Sequence, residues 1–169
     1  RRQLTSALQL SQEPIWLEQV HGVEVYRVDA PSRAMPVKPP VADAAVTQLA
    51  GVPLSVMTAD CLPLLLCDRA GTVVATAHAG WRGLCDGVIE QTVAAMQVAA
   101  CEILVWLGPA IGSSAFEVGD EVRTAFMSQH AVAAQAFVPS PVPGKWFADL
   151  FMLARQRLGQ SGVSAISGG

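Results

Sequence analysis

The segment Asp60-Cys61-Leu62-Pro63-Leu64-Leu65-Leu66-Cys67, followed by Asp68-Arg69-Ala70-Gly71 and Thr72-Val73-Val74-Ala75-Thr76-Ala77-His78, reads as two apolar strands joined by a four-residue, glycine-containing turn. If Cys67 faces Thr72, Cys61 falls directly opposite His78, and directly opposed side chains have Cβ atoms about 4.5 to 5.5 Å apart. The same register sets Leu62, Leu64 and Leu66 against Ala77, Ala75 and Val73 on an apolar face, whereas a one-residue slip would mix the two faces. Pro63 has no N–H, so its nitrogen must point away from the partner strand or sit at a bulge.

Around this hairpin, Pro14 to Val20 and Val23 to Val28 read as strands meeting at His21-Gly22, and Ala44 to Leu49, Leu54 to Thr58 and Ile103 to Leu107 are further strand candidates. The proline-rich stretch Pro31 to Pro40 reads as a surface loop. Asp86 is placed to cap a helix carrying Val88, Ile89, Thr92, Val93, Met96 and Ala100 on one face. Further helices are expected from about Gly119 to Ser128 and from about Asp149 to Leu158. Strands outnumber helices and some are hairpin-connected, which predicts a mixed α+β fold, with largely antiparallel sheets flanked by helices, rather than a doubly wound sheet.

Composition narrows the functional classes. At 169 residues, 51% apolar and 15% charged, the chain is a globular sequence of single-domain size. Its net charge is −3 and its 11 basic residues are scattered, which argues against a phosphate-tracking nucleic-acid surface. The apolar runs Gly51 to Ala59 and Leu62 to Cys67 stop well short of the roughly 20 residues that span a bilayer. Arg1 to Leu10 shows no continuous apolar run of secretory type. Cysteines 61, 67, 85 and 101 have neither CxxC spacing nor the density of a disulfide scaffold, so a reducing cytoplasm is expected.

A thiol and an imidazole brought together at the open end of a buried hairpin support two chemistries. Zinc takes Cys sulfur at about 2.3 Å and His nitrogen at about 2.0 to 2.1 Å, and a catalytic site needs three protein ligands plus an open position. Alternatively, Cys61 is a nucleophile whose proton His78 takes. His21 is the candidate third ligand, whereas His130 lies in a polar segment and Cys67, Cys85 and Cys101 read as structural. Asp60 is a polar residue between two apolar strands and so a candidate for proton transfer. After His78, Ala79-Gly80-Trp81-Arg82-Gly83 suits close approach of an anion, with Arg82 as a bidentate phosphate or carboxylate partner and Trp81 as a stacking or packing ring. Trp106 to Gly112 is a strand ending in a glycine-punctuated loop that can line the same pocket.

Six ordered blocks, Gln19-Val-His21-Gly22, Ala42-Asp43-Ala44, Thr58-Ala-Asp60-Cys61-Leu-Pro63, His78-Ala-Gly-Trp-Arg-Gly83, Leu107-Gly-Pro-Ala-Ile-Gly112 and Phe116-Glu-Val118, closely resemble the YfiH-like family, also called laccase-domain or polyphenol oxidase-like. A weaker match covers Lys145 to Leu150. The resemblance implies an α+β sandwich and a zinc site on His21, Cys61 and His78. It implies purine nucleoside phosphorylase activity toward adenosine, inosine and methylthioadenosine, with adenosine deaminase activity and phosphate and a nucleoside as small-molecule partners. It also carries older readings: a polyphenol oxidase or laccase using copper, and a peptidoglycan-precursor editing hydrolase with Cys61 as nucleophile. A non-catalytic zinc-binding module is a further alternative. Relatives of this kind generally start some tens of residues earlier and continue beyond Gly169, so the chain is expected to be one YfiH-like domain lacking its N- and C-terminal parts. Ser113 and Ser114 stand where many relatives have proline and cysteine.

Overall fold

The computed structural model describes residues 2–30 and 38–169, so most of the proline-rich loop expectation lies outside the described residues. The strands are β1 (Val25–Val28), β2 (Ala44–Thr47), β3 (Leu62–Asp68), β4 (Val74–Ala79), β5 (Ile103–Leu107), β6 (Glu117–Gly119), β7 (Phe137–Pro139), β8 (Lys145–Ala148) and β9 (Ala165–Gly168). The helices are α1 (Arg2–Ala7), α2 (Trp81–Asp86), α3 (Val88–Met96), α4 (Asp120–Gln129) and α5 (Leu150–Gln160). A six-stranded sheet runs β1-β2-β4-β3-β5-β9, antiparallel except at its two outer pairs, and an antiparallel three-stranded sheet runs β6-β8-β7. The mixed, largely antiparallel α+β class is as the sequence predicts.

Period-two alternation builds the main core. Leu62, Leu64 and Leu66 on β3, Ala75, Ala77 and Ala79 on β4, and Ile103, Val105 and Leu107 on β5 are all buried in one cluster with Val88, Ile89, Val93 and Met96 of α3 and Leu150, Leu153 and Leu158 of α5. Fully burying each leucine is worth about 1.5 to 3 kcal/mol, so this layer is the principal source of stability. A smaller cluster of Ile15, Leu17, Val28, Ala42, Ala45 and Val52 lies beside β1 and β2.

The β3–β4 register differs from the expected one by two residues: Pro63, not Cys61, opposes His78, and Leu62, Leu64 and Leu66 oppose Ala79, Ala77 and Ala75. The cause is Asp68. Its carboxylate accepts the N–H of Thr72 at 2.7 Å, the hydroxyl of Thr72 at 2.7 Å and the N–H of Val73 at 3.0 Å. The backbone N–H of Asp68 also bonds the Val73 carbonyl at 3.2 Å, so Asp68 joins the ladder and the turn moves one residue toward Thr72. A shift of two keeps every side chain on its expected face.

Pro14 to Val20 and Leu54 to Thr58 do not form strands. They make single bridges, Ile15 with Leu54 and Glu18 with Val41. Prolines at 14, 40 and 53 interrupt donor supply along these segments, leaving isolated bonds such as Ile15 N–H to Pro53 C=O and Glu18 N–H to Pro40 C=O, both 2.9 Å.

Asp86 does not cap α3. It is the last residue of α2, a helix formed where a loop was expected, and Gly87 separates the two helices at φ 109°, a left-handed conformation open to glycine. Asp149 does cap α5, accepting the Met152 N–H at 2.9 Å.

Candidate metal centre

His78 sits near the end of β4, on the sheet face opposite the leucines, and Cys61 lies immediately before β3. Cys61 is therefore a diagonal rather than a direct neighbour of His78, still within side-chain reach. His21 comes from the turn before β1, with φ 60°. The nitrogen of each histidine and the sulfur of Cys61 lie within 4.8 Å of one another, and Cys61 Sγ is 3.8 Å from His21 Nε2. The imidazoles meet edge to face, with centroids 4.7 Å apart. Burial is graded: His78 is buried, Cys61 half-buried and His21 exposed, so the cluster opens to solvent on the His21 side.

Asp43, whose role the sequence reading missed, organises this cluster. It is fully buried, one residue before β2, where the β2–β4 register brings it beside His78. Its carboxylate accepts the N–H groups of Val20 (3.1 Å), His21 (2.9 Å) and Gly22 (2.7 Å) and lies 2.8 Å from His78 Nδ1. Burial alone would raise the Asp43 pKa, but the His78 bond and the three backbone donors outweigh it and hold the carboxyl below the ordinary carboxylate value. An ionised carboxylate only accepts, so His78 Nδ1 carries the proton and Nε2 is the nitrogen left to bind a metal. The available signal was an acidic residue inside the apolar run Val41-Ala-Asp-Ala-Ala-Val46, the same reasoning that singled out Asp60.

Gly80 lets the two loops close. A Cβ there would lie 2.7 Å from His21 Cδ2 and 3.0 Å from Cys61 Sγ. Burial raises the Cys61 pKa, and the charges of Asp60 and Asp43 raise it further. Asp60 is exposed, and its backbone carbonyl accepts the Ile111 N–H at 3.0 Å, which ties the loop after β5 to the cluster. Arg82 and Trp81 lie in the first turn of α2, with the Arg82 guanidinium 4.4 Å above the Trp81 ring in a cation–π stack.

The donor set fits a tetrahedral metal ion. Bond lengths of about 2.3 Å to sulfur and 2.0 to 2.1 Å to nitrogen imply donor separations of roughly 3.3 to 3.6 Å, close to the 3.8 Å between Cys61 and His21. Among the described residues, His21, Cys61 and His78 form the one group whose donor atoms converge in this way. His130 lies outside it, at the end of α4. Cavities of about 750 Å³ at the Gly71–Val74 end of the hairpin and about 520 Å³ over Leu65, Trp106 and Ile166 are lined by other residues.

Comparison with known proteins agrees with the motif reading. The family model described as multi-copper polyphenol oxidoreductase laccase matches residues 1–169. The chain is 56% identical over 169 residues to the purine nucleoside phosphorylase PA4543 of Pseudomonas aeruginosa, covering 100% of this chain and 66% of that protein. It is 51% identical to the purine nucleoside phosphorylase YfiH of Escherichia coli, covering 100% of this chain and 67% of YfiH. The crystal structure of Neisseria meningitidis protein NMB0706 superimposes with a TM-score of 0.90 at 45% identity, covering 100% of this chain and 67% of that one. The chain thus spans about two thirds of the length of these relatives, and across all of it this protein belongs to the multi-copper polyphenol oxidoreductase laccase family, in which the YfiH proteins fall.

Proposed function

We propose that the chain carries the metal centre of a zinc-dependent purine nucleoside phosphorylase, with Zn²⁺ held by His21, Cys61 and His78. The supporting observation is the convergence of one thiol and two imidazoles with one side open to solvent, since three ligands and a free position distinguish a catalytic zinc site from a closed structural one. The names of the relatives supply the substrate class. When bound, the ion supplies Lewis acidity toward the substrate.

The chain's own residues then have distinct tasks. Asp43 orients His78 and fixes its proton on Nδ1. Arg82, exposed, pairs with phosphate, and Trp81, half-buried against the main core, carries the Arg82 guanidinium on its ring face and so positions it. Asp60, exposed and adjacent to Cys61, holds or accepts a proton. Hydrolytic deamination of adenosine is the second reading, because the same open metal position serves water activation.

Two rivals fit less well. A metal-free cysteine hydrolase needs either a lowered thiol pKa or a base beside the thiol; burial raises that of Cys61, and the imidazole 3.8 Å from its sulfur is the exposed His21 rather than the Asp43-held His78. A multicopper oxidase needs several imidazoles at its copper cluster, and the donor group here offers two beside one thiol. The test is metal analysis of the purified protein together with release of free base from inosine and adenosine, with and without phosphate. Stoichiometric zinc and phosphate-dependent base release are expected. Tight zinc with no phosphate dependence removes the phosphorylase reading and leaves deaminase or hydrolase.

A further inference from the structure

We propose that Gln19 is a positioning residue that sets the separation between His21 and Cys61 by clamping the segment leading to Cys61, an inference that rests on the metal-centre reading above. The Gln19 Nε2–H donates to the Met57 carbonyl at 2.8 Å, and Gln19 Oε1 accepts the Met57 N–H at 2.8 Å. A single side-chain amide thereby satisfies both backbone groups of a residue 38 positions away, as a neighbouring strand would.

The position of this clamp gives it its effect. Gln19 lies two residues before His21, and Met57 four residues before Cys61. Between Leu54, with its single bridge to Ile15, and Leu62, where β3 begins, the chain has no ladder to fix its path. Met57 itself is 54% exposed, while its neighbour Val56 packs against the smaller core. Among the described residues this stretch is held by the Ser55 hydroxyl on the Ile15 carbonyl at 2.6 Å, by the Gln19 pair on the Met57 backbone and by the Ile111 N–H on the Asp60 carbonyl, and of these the Gln19 pair lies between Ser55 and Asp60. On the other side, His21 is held in a left-handed conformation that non-glycine residues disfavour, so its backbone needs fixing from outside. Asp43 fixes His21 relative to His78, and Gln19 fixes it relative to Cys61. The chemistry is specific to an amide: glutamate at 19 retains the acceptor for the Met57 N–H but has no donor for its carbonyl, and leucine has neither.

Cobalt(II) reads this directly, because its affinity and its thiolate charge-transfer absorption report the Cys61 bond without any turnover. Gln19→Leu and Gln19→Glu are compared with the unmodified chain and with Gln156→Leu, which removes a side-chain bond between α5 and the Val132 carbonyl that involves no residue of the cluster. Loss of outer-sphere support typically lowers metal affinity about 10- to 100-fold. That loss, with a weakened or shifted charge-transfer band, is expected for both Gln19 variants. Gln156→Leu is expected to change the melting temperature alone. If Gln19→Leu does not fold, Gln19→Glu, which keeps one of the two bonds, decides the matter. Unchanged cobalt affinity and spectrum in the Gln19 variants, with the unmodified chain binding normally, overturn the role of Gln19 and leave the metal centre standing. Failure of the unmodified chain to bind cobalt overturns the metal centre and this inference with it.

Discussion

The Asp43 carboxylate, fully buried, accepts the Nδ1–H of His78 at 2.8 Å while it also gathers the three backbone N–H groups of residues 20 to 22. One side chain thus joins both histidines of the candidate metal centre. Asp43→Ala removes the acceptor of four donors, the buried Nδ1–H of His78 and the part-buried N–H groups of residues 20 to 22, and a hydrogen bond to a charged group is worth about 1.5 to 3 kcal/mol. A stability loss of at least about 1.5 kcal/mol in denaturant titration and about 10- to 100-fold weaker zinc binding in chelator competition are expected. Wild-type zinc affinity in a folded Asp43→Ala protein would show that Asp43 does not organise the ligands.

Gly80→Ala separates the metal centre from the fold. The backbone of Gly80, at φ −64° and ψ 156°, suits alanine, so the chain itself is not strained. The new methyl group meets the His21 ring and Cys61 sulfur at 2.7 and 3.0 Å, forcing those two ligands apart. The melting temperature is expected to stay near that of the parent protein while stoichiometric zinc is lost on dialysis.

Removal of single ligands checks the donor set. His21→Ala, Cys61→Ala and His78→Ala are each expected to abolish stoichiometric zinc retention, whereas His130→Ala, outside the cluster, should retain it. Zinc measured by atomic absorption after gel filtration gives the answer, and loss in the His130 variant would contradict the assignment.

Acid sensitivity should reside partly in the β3–β4 turn. The Thr72 hydroxyl, followed by the Val73 and Thr72 N–H groups, holds the Asp68 pKa below its ordinary value of 3.8. A carboxyl with a depressed folded-state pKa stabilises the protein above its unfolded value and loses that stabilisation as pH falls through the folded one. Denaturant midpoints should therefore fall as pH drops below about 4. Asp68→Asn should be less stable at neutral pH and show a shallower decline in that acid range. Parallel pH profiles for the two proteins would rule out this contribution.

Much of the architecture was legible locally. The alternation of Leu62, Leu64 and Leu66 against Ala75 and Ala77 marked a buried face, and the flanking cysteine and histidine marked a reactive end. The QVHG, TADC and HAGWRG blocks identified His21, Cys61 and His78, which the structure brings together. Less legible were α2, hidden by Gly83 within it and the glycines at either end, and the strands at 14–20 and 54–58, which prolines at 14, 40 and 53 reduce to single bridges.

By itself the sequence determined which side chains share a face, because facing has a period of two and survives the two-residue register shift that Asp68 imposes. It also determined the chemical identity of the donors. Only the tertiary structure decided how they are held: Asp43 reaches His78 across 35 residues and Gln19 reaches Met57 across 38. Such bonds depend on where distant backbone donors come to rest, and nothing in the neighbouring residues encodes that distance.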